Sequence, residues 1–315
     1  MSRYRCLNVL LGATLLGTTG AGSQSLAQQP VQWITRDSAV LDQWPYVAPD
    51  GHTITFSRST DGGATWQLMM IDRAGGVARP FLQNPPVVSA TRGSWSRRHN
   101  RLAFTGGTRN DETTAVWVSN ATGTEVTRIA ALNVSPRLMY PSWTPDGQSV
   151  VAVDYGAAGG STLVRLDLTT GVTVPLTQPA QFLVGMPTVS PDGEWIAFAG
   201  QQNLGRPYDQ QKNQIWLLPR SGPPREVSRG QGRQPDWSPD GKWLAFTSTR
   251  GDSAGRPAIF IVAREGGVPV QLTEHEVNAG HPVWSPDGRW LVFYASLPEK
   301  QTAKGLAVIG VPERH

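Results

Sequence analysis

The stretch WSPDGKWLAF, residues 237–246, is the clearest of six near-copies of one pattern in this chain. Each copy contains an SPDG turn or a variant of it, at residues 48–51, 96–99, 144–147, 190–193, 238–241 and 285–288. The third position of these turns falls at residues 50, 98, 146, 192, 240 and 287, so the period is 46 to 48 residues. A period this regular is typical of folds built from stacked equivalent units.

Each unit contains four short runs that are rich in β-branched and aromatic residues. In the fifth unit these runs lie at residues 235–237, 242–247, 259–262 and 270–273, and turn residues separate them. Proline, aspartate and glycine each suit one position of a tight turn between two strands. No segment shows a sustained 3.6-residue apolar period, so almost no helix is expected. The pattern predicts an all-β fold, a six-bladed β-propeller of four-stranded antiparallel blades.

The two ends of the repeat array predict how the ring closes. The sixth unit has three candidate strands and the chain then stops, whereas the run PVQWIT at residues 30–35 precedes the first unit. This run resembles PVQLT at residues 269–273, an outer fourth strand. We expect the N-terminal strand to complete the last blade, which leaves no open sheet edge. The alternative is a loose leader peptide.

The first 27 residues have the features of a secretory signal. Arg3 and Arg5 precede a short apolar run, and Ser25 to Ala27 fit the small-residue rule for cleavage. The single cysteine, Cys6, lies within this segment, so the predicted mature domain, residues 28–315, has no disulfide or thiol nucleophile. We expect a bacterial periplasmic or secreted protein with no transmembrane segment after cleavage.

The charge balance argues against nucleic-acid binding. Removing Arg3 and Arg5 from 28 basic residues leaves 26 against 24 acidic residues, a net charge of about +2 that is evenly spread. One local cluster, RRHNR at residues 97–101, replaces the turn of the second unit. It is either a surface for an acidic partner or a solvated, degenerated turn, and the second interpretation is favoured.

The repeat resembles the β-propeller of TolB-like proteins. The similarity is carried by residues 237–246 and by TSTRGDSAGRPAIF at residues 247–260. It implies a propeller in the bacterial envelope. We expect this chain to lack the additional N-terminal α/β domain of TolB, because only a few residues separate Ala27 from the closing strand. The repeat is also similar to propellers of prolyl-oligopeptidase-type peptidases and of some pectate-degrading lyases.

A second motif lies in the first unit. The run STDGGATW, residues 59–66, matches the Asp-box pattern of sialidases and other secreted propellers. Asp61 is expected to cap backbone amides of its turn while Trp66 packs beneath it. In the sialidase family these boxes are structural, so one copy is weak evidence for glycan chemistry.

The position six residues before each turn aspartate is the best candidate for a binding surface. These residues are expected to ring the mouth of the central channel, on the face that the loops between second and third strands share, and they are Trp44, Arg92, Tyr140, Met186, Gln234 and His281. The longest such loop, residues 200–213, adds Arg206 and Tyr208. Loops on a rigid scaffold often carry function. The alternative is that these side chains merely fill a narrowing hole.

Catalytic patterns are scarce. There is no GxSxG elbow, and the five histidines fall at different places in their repeats, so no three-histidine metal site is expected. Three aspartates from different units, Asp154, Asp209 and Asp236, could converge as a carboxylate site.

The sequence therefore predicts a monomeric, non-enzymatic binding or scaffold module for a protein segment or other extended ligand at the channel face. An envelope protein or peptide is the expected partner, and no cofactor is expected, although the channel leaves room for a divalent cation. The alternative is a carbohydrate-active lyase, hydrolase or lactonase with acid–base or metal-assisted chemistry in the channel. A third interpretation is a structural subunit of an envelope complex.

Overall fold

The computed structural model describes residues 30–107, 113–135, 137–156, 160–205 and 209–312. Within these ranges the regular structure is almost entirely β, as the repeat pattern predicts. The helical elements there are two single 3-10 turns, Gln210–Lys212 and His275–Val277. No helix in the described part of the chain is long and apolar enough to cross a membrane.

The strands alternate with short turns along the chain. They are β1 (Gln32–Trp33), β2 (Leu41–Val47), β3 (Thr53–Ser59), β4 (Gln67–Asp72), β5 (Arg79–Pro80), β6 (Ser89–Ser96), β7 (Arg101–Gly107), β8 (Thr114–Ser119), β9 (Thr127–Arg128), β10 (Leu138–Trp143), β11 (Ser149–Asp154), β12 (Thr162–Asp167), β13 (Thr173–Pro175), β14 (Phe182–Val189), β15 (Trp195–Gln202), β16 (Gln214–Pro219), β17 (Arg225–Gln231), β18 (Arg233–Trp237), β19 (Trp243–Ser248), β20 (Ala258–Ala263), β21 (Val270–Gln271), β22 (Gly280–Trp284), β23 (Trp290–Leu297) and β24 (Lys300–Gly310).

Four antiparallel strands in chain order make up each blade. Four blades stand as separate sheets, namely β6 to β9, β10 to β13, β14 to β17 and β18 to β21. The remaining eight strands form one sheet, in the order β22-β23-β24-β2-β3-β4-β5 with β1 also paired to β24. A single parallel pair, Leu41 with Lys304, joins β2 to β24 inside this sheet.

The strand β1 lies at the place that the sequence predicts for residues 30–35. It pairs antiparallel with β24, with Gln32 opposite Val308. The pairing continues beyond β1, because Ile34 N donates to the carbonyl oxygen of Leu306 at 2.8 Å and Leu306 N donates to Thr35 Oγ1 at 2.9 Å. The beginning and the end of the described chain are therefore held in one sheet.

The first strands of the repeats surround a common centre. They contact one another in a closed order, β2, β6, β10, β14, β18, β22 and back to β2. The core lies between neighbouring sheets, and a phenylalanine in the middle of the second strand recurs there. Its fully buried copies are Phe56, Phe104, Phe198, Phe246 and Phe293. Burying an aromatic side chain removes a large apolar area from water at the contacts between these blades, whereas the second strand of the third repeat, β11, has no aromatic residue.

The SPDG turns have the same hydrogen bonds in most repeats. In the fourth, Ser190 Oγ donates to Asp192 Oδ1 at 2.5 Å and accepts a hydrogen bond from Trp195 N at 2.9 Å. Asp192 Oδ1 also accepts from Glu194 N at 3.0 Å, and Gly193 has a φ of +75°. The aspartate side chain thus accepts its hydrogen bonds from groups of its own turn. In the second repeat, Asn100 adopts a positive φ and arginines occupy the positions of proline and aspartate.

Candidate functional site

All six residues that the sequence predicts for the channel share one backbone conformation. Each lies at a register shift in the first strand of its repeat, where an extra residue forms a β-bulge. Their φ angles lie between +49° and +57°, and they are Trp44, Arg92, Tyr140, Met186, Gln234 and His281. Non-glycine residues seldom adopt this left-handed region. A strained conformation repeated at equivalent places indicates that the bulge re-aims these side chains.

Three of these side chains stack on one another. The Arg92 guanidinium lies 4.6 Å from the ring centroid of Trp44 and 4.8 Å from that of Tyr140. Trp66, the last residue of the Asp-box, lies 4.6 Å from Trp44 between ring centroids. Cation–π contacts of this kind stabilise a guanidinium that is partly removed from water. The Asp-box therefore supports the channel residues of the first repeat.

The opposite side of the ring is held by hydrogen bonds. His281 N donates to Gln234 Oε1 at 2.9 Å, and Thr247 Oγ1 donates to the same oxygen at 2.9 Å. The His281 ring meets Tyr46 edge to face, with 5.1 Å between centroids. Gln234 and His281 come from adjacent repeats, so these contacts connect two blades near the centre.

A cavity of about 420 Å³ begins at these bulges. Tyr140, Met186, Gln234 and His281 line it, whereas Trp44 and Arg92 are not among its lining residues. From the bulges it extends along the first strands to the SPDG turns, where Arg97 and Arg98 line it and are exposed. The six residues thus lie within their first strands, and the cavity extends from the level of the bulges to the turns.

Arg206 and Tyr208, the remaining predicted binding residues, lie outside the residues that the structure describes.

Two titratable groups of the cavity have shifted pKa values. Burial, and secondarily the positive charge of Arg92, lower the pKa of His281 to about 3, so its imidazole is neutral at physiological pH. Burial raises the pKa of Asp236 to about 6, although the N–H group of Trp284 opposes this by donating to Asp236 Oδ2 at 2.8 Å. The Arg97 guanidinium also opposes the rise.

The three aspartates that could converge do not share a site. Asp154, at the end of β11, accepts hydrogen bonds from Ser135 and from Gly156 N, while Asp209 lies 3.5 Å from Lys212 Nζ. Asp236 alone of the three lines the cavity. In the described ranges, no group of three or more histidine, cysteine, aspartate or glutamate side chains is arranged to hold a metal ion.

The tryptophans of the cavity wall are not among the residues that the sequence predicts for the site. Trp95, Trp143, Trp237 and Trp284 line it, and each immediately precedes the turn of its repeat. Indole N–H groups reach the preceding blade: Trp143 Nε1 donates to the Ser94 carbonyl oxygen at 2.8 Å and Trp237 Nε1 to that of Thr188 at 3.2 Å. The recurrence of tryptophan at one repeat position is the signal that could have found them.

The sequence and the fold place the chain in a family. The TolB beta propeller domain family matches residues 93–304, about two thirds of the chain, and the protein belongs to this family. No curated protein sequence matches the chain.

Solved structures show the same fold at low identity. Putative TolB from Agrobacterium tumefaciens has a TM-score of 0.63 and 19% identity, covering 87% of this chain and 91% of that chain. TolB from Acinetobacter baumannii has a TM-score of 0.57 and 18% identity, covering 89% of this chain and 66% of that chain. Oligogalacturonate lyase from Vibrio parahaemolyticus has a TM-score of 0.57 and 13% identity, covering 92% and 95%. These likenesses concern the fold alone.

Proposed function

We propose that the protein is a binding module whose central cavity takes an extended ligand, a peptide segment of another envelope protein. The observation that carries this proposal is the cavity itself, which the first strands of the repeats surround. Its wall combines tryptophan and proline side chains with a few polar groups, the composition of many ligand sites. The cavity reaches the exposed Arg97 and Arg98 at the turn face, where an extended chain would enter.

The scaffold of this proposal is a six-bladed ring. The eight-stranded sheet then contains the first blade, β2 to β5, and the last blade, β22 to β24 with β1. The single Leu41–Lys304 pair is the seam between them. The closed order of contacts among the six first strands supports this count. In this arrangement β1 closes the ring.

The proposed location is the bacterial periplasm or the exterior, and the proposed form is a monomer. Residues 1–27 would act as the signal peptide, but they lie outside the described part of the structure. TolB structures among the similar folds support an envelope location by analogy.

A second candidate is a carbohydrate-active enzyme. The specific observation in its favour is Asp236, a cavity carboxyl whose pKa of about 6 suits acid–base chemistry near neutral pH. The fold of oligogalacturonate lyase adds weight by analogy. Against it, Asp236 accepts the Trp284 N–H group and thereby connects two blades, a role that needs no substrate.

A peptide-display selection tests the binding proposal. A library of random peptides is selected on the protein, and we expect a consensus sequence that binds the wild type. Met186→Trp should abolish this binding by filling the cavity, and tryptophan is tolerated there because Trp44 occupies the equivalent position. The control is Val268→Trp, since Val268 is 77% exposed away from the cavity. Failure to select any peptide that distinguishes these two variants would overturn the proposal.

A thermal-shift assay distinguishes the enzyme candidate from the binding module. Ca²⁺, Mn²⁺ and oligogalacturonate are each added at saturating concentration, since a ligand of the folded state raises the melting temperature. A shift of several degrees that Asp236→Asn removes would place the enzyme candidate first. A flat response would leave the binding module in front.

A further inference from the structure

The second repeat differs from the others at the mouth of the cavity. Its turn, residues 96–99, carries Arg97 and Arg98 where other repeats have proline and aspartate. Both arginines line the cavity and are exposed. Among the described residues, neither forms an ion pair within 4 Å. Two guanidinium groups are thus available at the place where a ligand would enter.

The carboxylates nearest to these arginines, Asp236 and Asp146, feel the charges of Arg97 and Arg98 respectively, but their hydrogen bonds go to other groups. Asp146 of the next turn accepts hydrogen bonds from Thr144 Oγ1 at 2.6 Å and from Gln148 N at 3.0 Å. None of the turn aspartates Asp50, Asp146, Asp192, Asp240 and Asp287 lines the cavity. The one carboxyl that does, Asp236, is bonded to the Trp284 N–H group. The charged groups of the wall are therefore two guanidinium groups and one engaged carboxyl.

The inner end of the cavity offers a neutral hydrogen-bonding group. His281 lines the cavity, and its Nε2 atom is buried and has no hydrogen-bond partner among the described residues. Buried polar atoms are normally paired, so an unpaired one that borders a cavity is a candidate ligand contact. The peptide backbone has both N–H and C=O groups, and either can pair with an imidazole nitrogen.

We propose that the cavity selects an acidic peptide segment. An aspartate or glutamate of the ligand lies against Arg97 and Arg98 at the turn face, and its backbone reaches His281 Nε2 at the inner end. Guanidinium groups bind carboxylates with paired, charge-assisted hydrogen bonds, which gives direction as well as affinity. This inference rests on the proposed function and specifies the ligand class of the same site.

The test reads the charge of the peptides that the display selection yields. We expect an aspartate or glutamate at a fixed place in the consensus. With the synthetic consensus peptide, the double variant Arg97→Gln/Arg98→Gln should raise Kd at least about tenfold in titration calorimetry. Arg79→Gln is the control, since Arg79 is an exposed residue of the outer strand β5, and it should change Kd less than about twofold.

The outcomes separate this inference from the proposed function. A neutral or basic consensus would overturn the acidic-ligand inference and leave the binding module standing. So would a Kd that the double variant does not change. Selection of no peptide would overturn the binding module and this inference together.

Discussion

Trp33 lies opposite Ala307 in an antiparallel strand pair that joins the two ends of the described chain. The indole of Trp33 packs against the buried cluster that contains Trp284, Leu291 and Ile309. Contacts between residues so far apart in sequence are costly to form, because a long loop must be closed first. The contacts of Trp33 therefore contribute to stability only while β1 stays paired with β24.

Substitution of Gly305 in β24 tests whether the pairing of β1 with β24 contributes to stability. A Cβ atom at residue 305 would collide with the backbone carbonyl oxygen of Thr35, which follows β1. We expect Gly305→Ala to lower the free energy of unfolding by about 2 kcal/mol or more, in the range of severe single-site changes. Urea unfolding measures it.

The control for this prediction is the same substitution in a chain that lacks residues 30–35. This deletion should itself lower the melting temperature, and Gly305→Ala should then cost clearly less, because Thr35 is gone. Such non-additivity is the signature of a direct contact. Equal costs in both backgrounds would show that Thr35 is not the reason for the effect.

Met186 tests the left-handed bulge conformation. Isoleucine and leucine have the same volume, but a β-branched residue is strongly disfavoured at the φ of +51° that Met186 adopts. We expect Met186→Ile to be less stable than Met186→Leu by about 1–2 kcal/mol. At an ordinary strand position the order would be equal or reversed, since isoleucine favours strands. Chemical denaturation of the two variants under identical conditions decides.

The repeat predicts much of this structure because each unit contains its own strand and turn residues in the same order. The run at residues 242–247 becomes β19, and the run at 30–35 pairs where the outer strand of the last unit is missing. Alignment of the repeats also assigns Gln234 and His281 to equivalent positions of adjacent units, and the two residues are hydrogen-bonded to each other. These are local patterns, which recur in every copy and so reinforce one another.

The bulges are what the sequence conceals. Near the turn of the first hairpin, Val47 pairs with Ile54, a register that would place Asp42 opposite Ser59. The bulge shifts the register by one residue, so that Asp42 pairs with Arg58 instead. The same shifts place the predicted channel residues within the strands. The repeat alignment finds six equivalent positions but not their left-handed conformation, and a role for these residues at the mouth of the channel stays a prediction.

The Asp42–Arg58 pair that this shift creates is a strong test of buried charge. Asp42 is fully buried, and both of its oxygens accept hydrogen bonds from Arg58, at 2.7 Å and 2.8 Å. Arg58→Met leaves a buried carboxylate without its partner, and we expect a loss of about 3–5 kcal/mol in the free energy of unfolding. Asp42→Asn combined with Arg58→Met should recover part of this loss. A double variant no more stable than Arg58→Met alone would contradict the interpretation.

His281 should make stability depend on pH in a way that a single variant reveals. Its pKa falls from 6.5 to about 3 on folding, mainly through burial and also through Arg92. Below pH 6.5 the unfolded chain therefore binds a proton at His281 that the folded protein does not bind, and stability is lost as the pH falls toward 3. Between pH 7 and pH 5 this amounts to about 2 kcal/mol.

The measurement compares the free energy of unfolding of the wild type with that of His281→Gln. Glutamine is compatible with this backbone conformation, because Gln234 adopts it in the adjacent repeat. Asp236 acts in the opposite direction, because its raised pKa lets the folded protein gain a proton, and hence stability, as the pH falls from about 6 to 3.8. That contribution is present in both proteins and cancels in their difference. The variant should therefore gain about 2 kcal/mol relative to wild type on going from pH 7 to pH 5. An unchanged difference would mean that the imidazole is solvated and titrates normally, and that it does not border the cavity as a neutral hydrogen-bonding group.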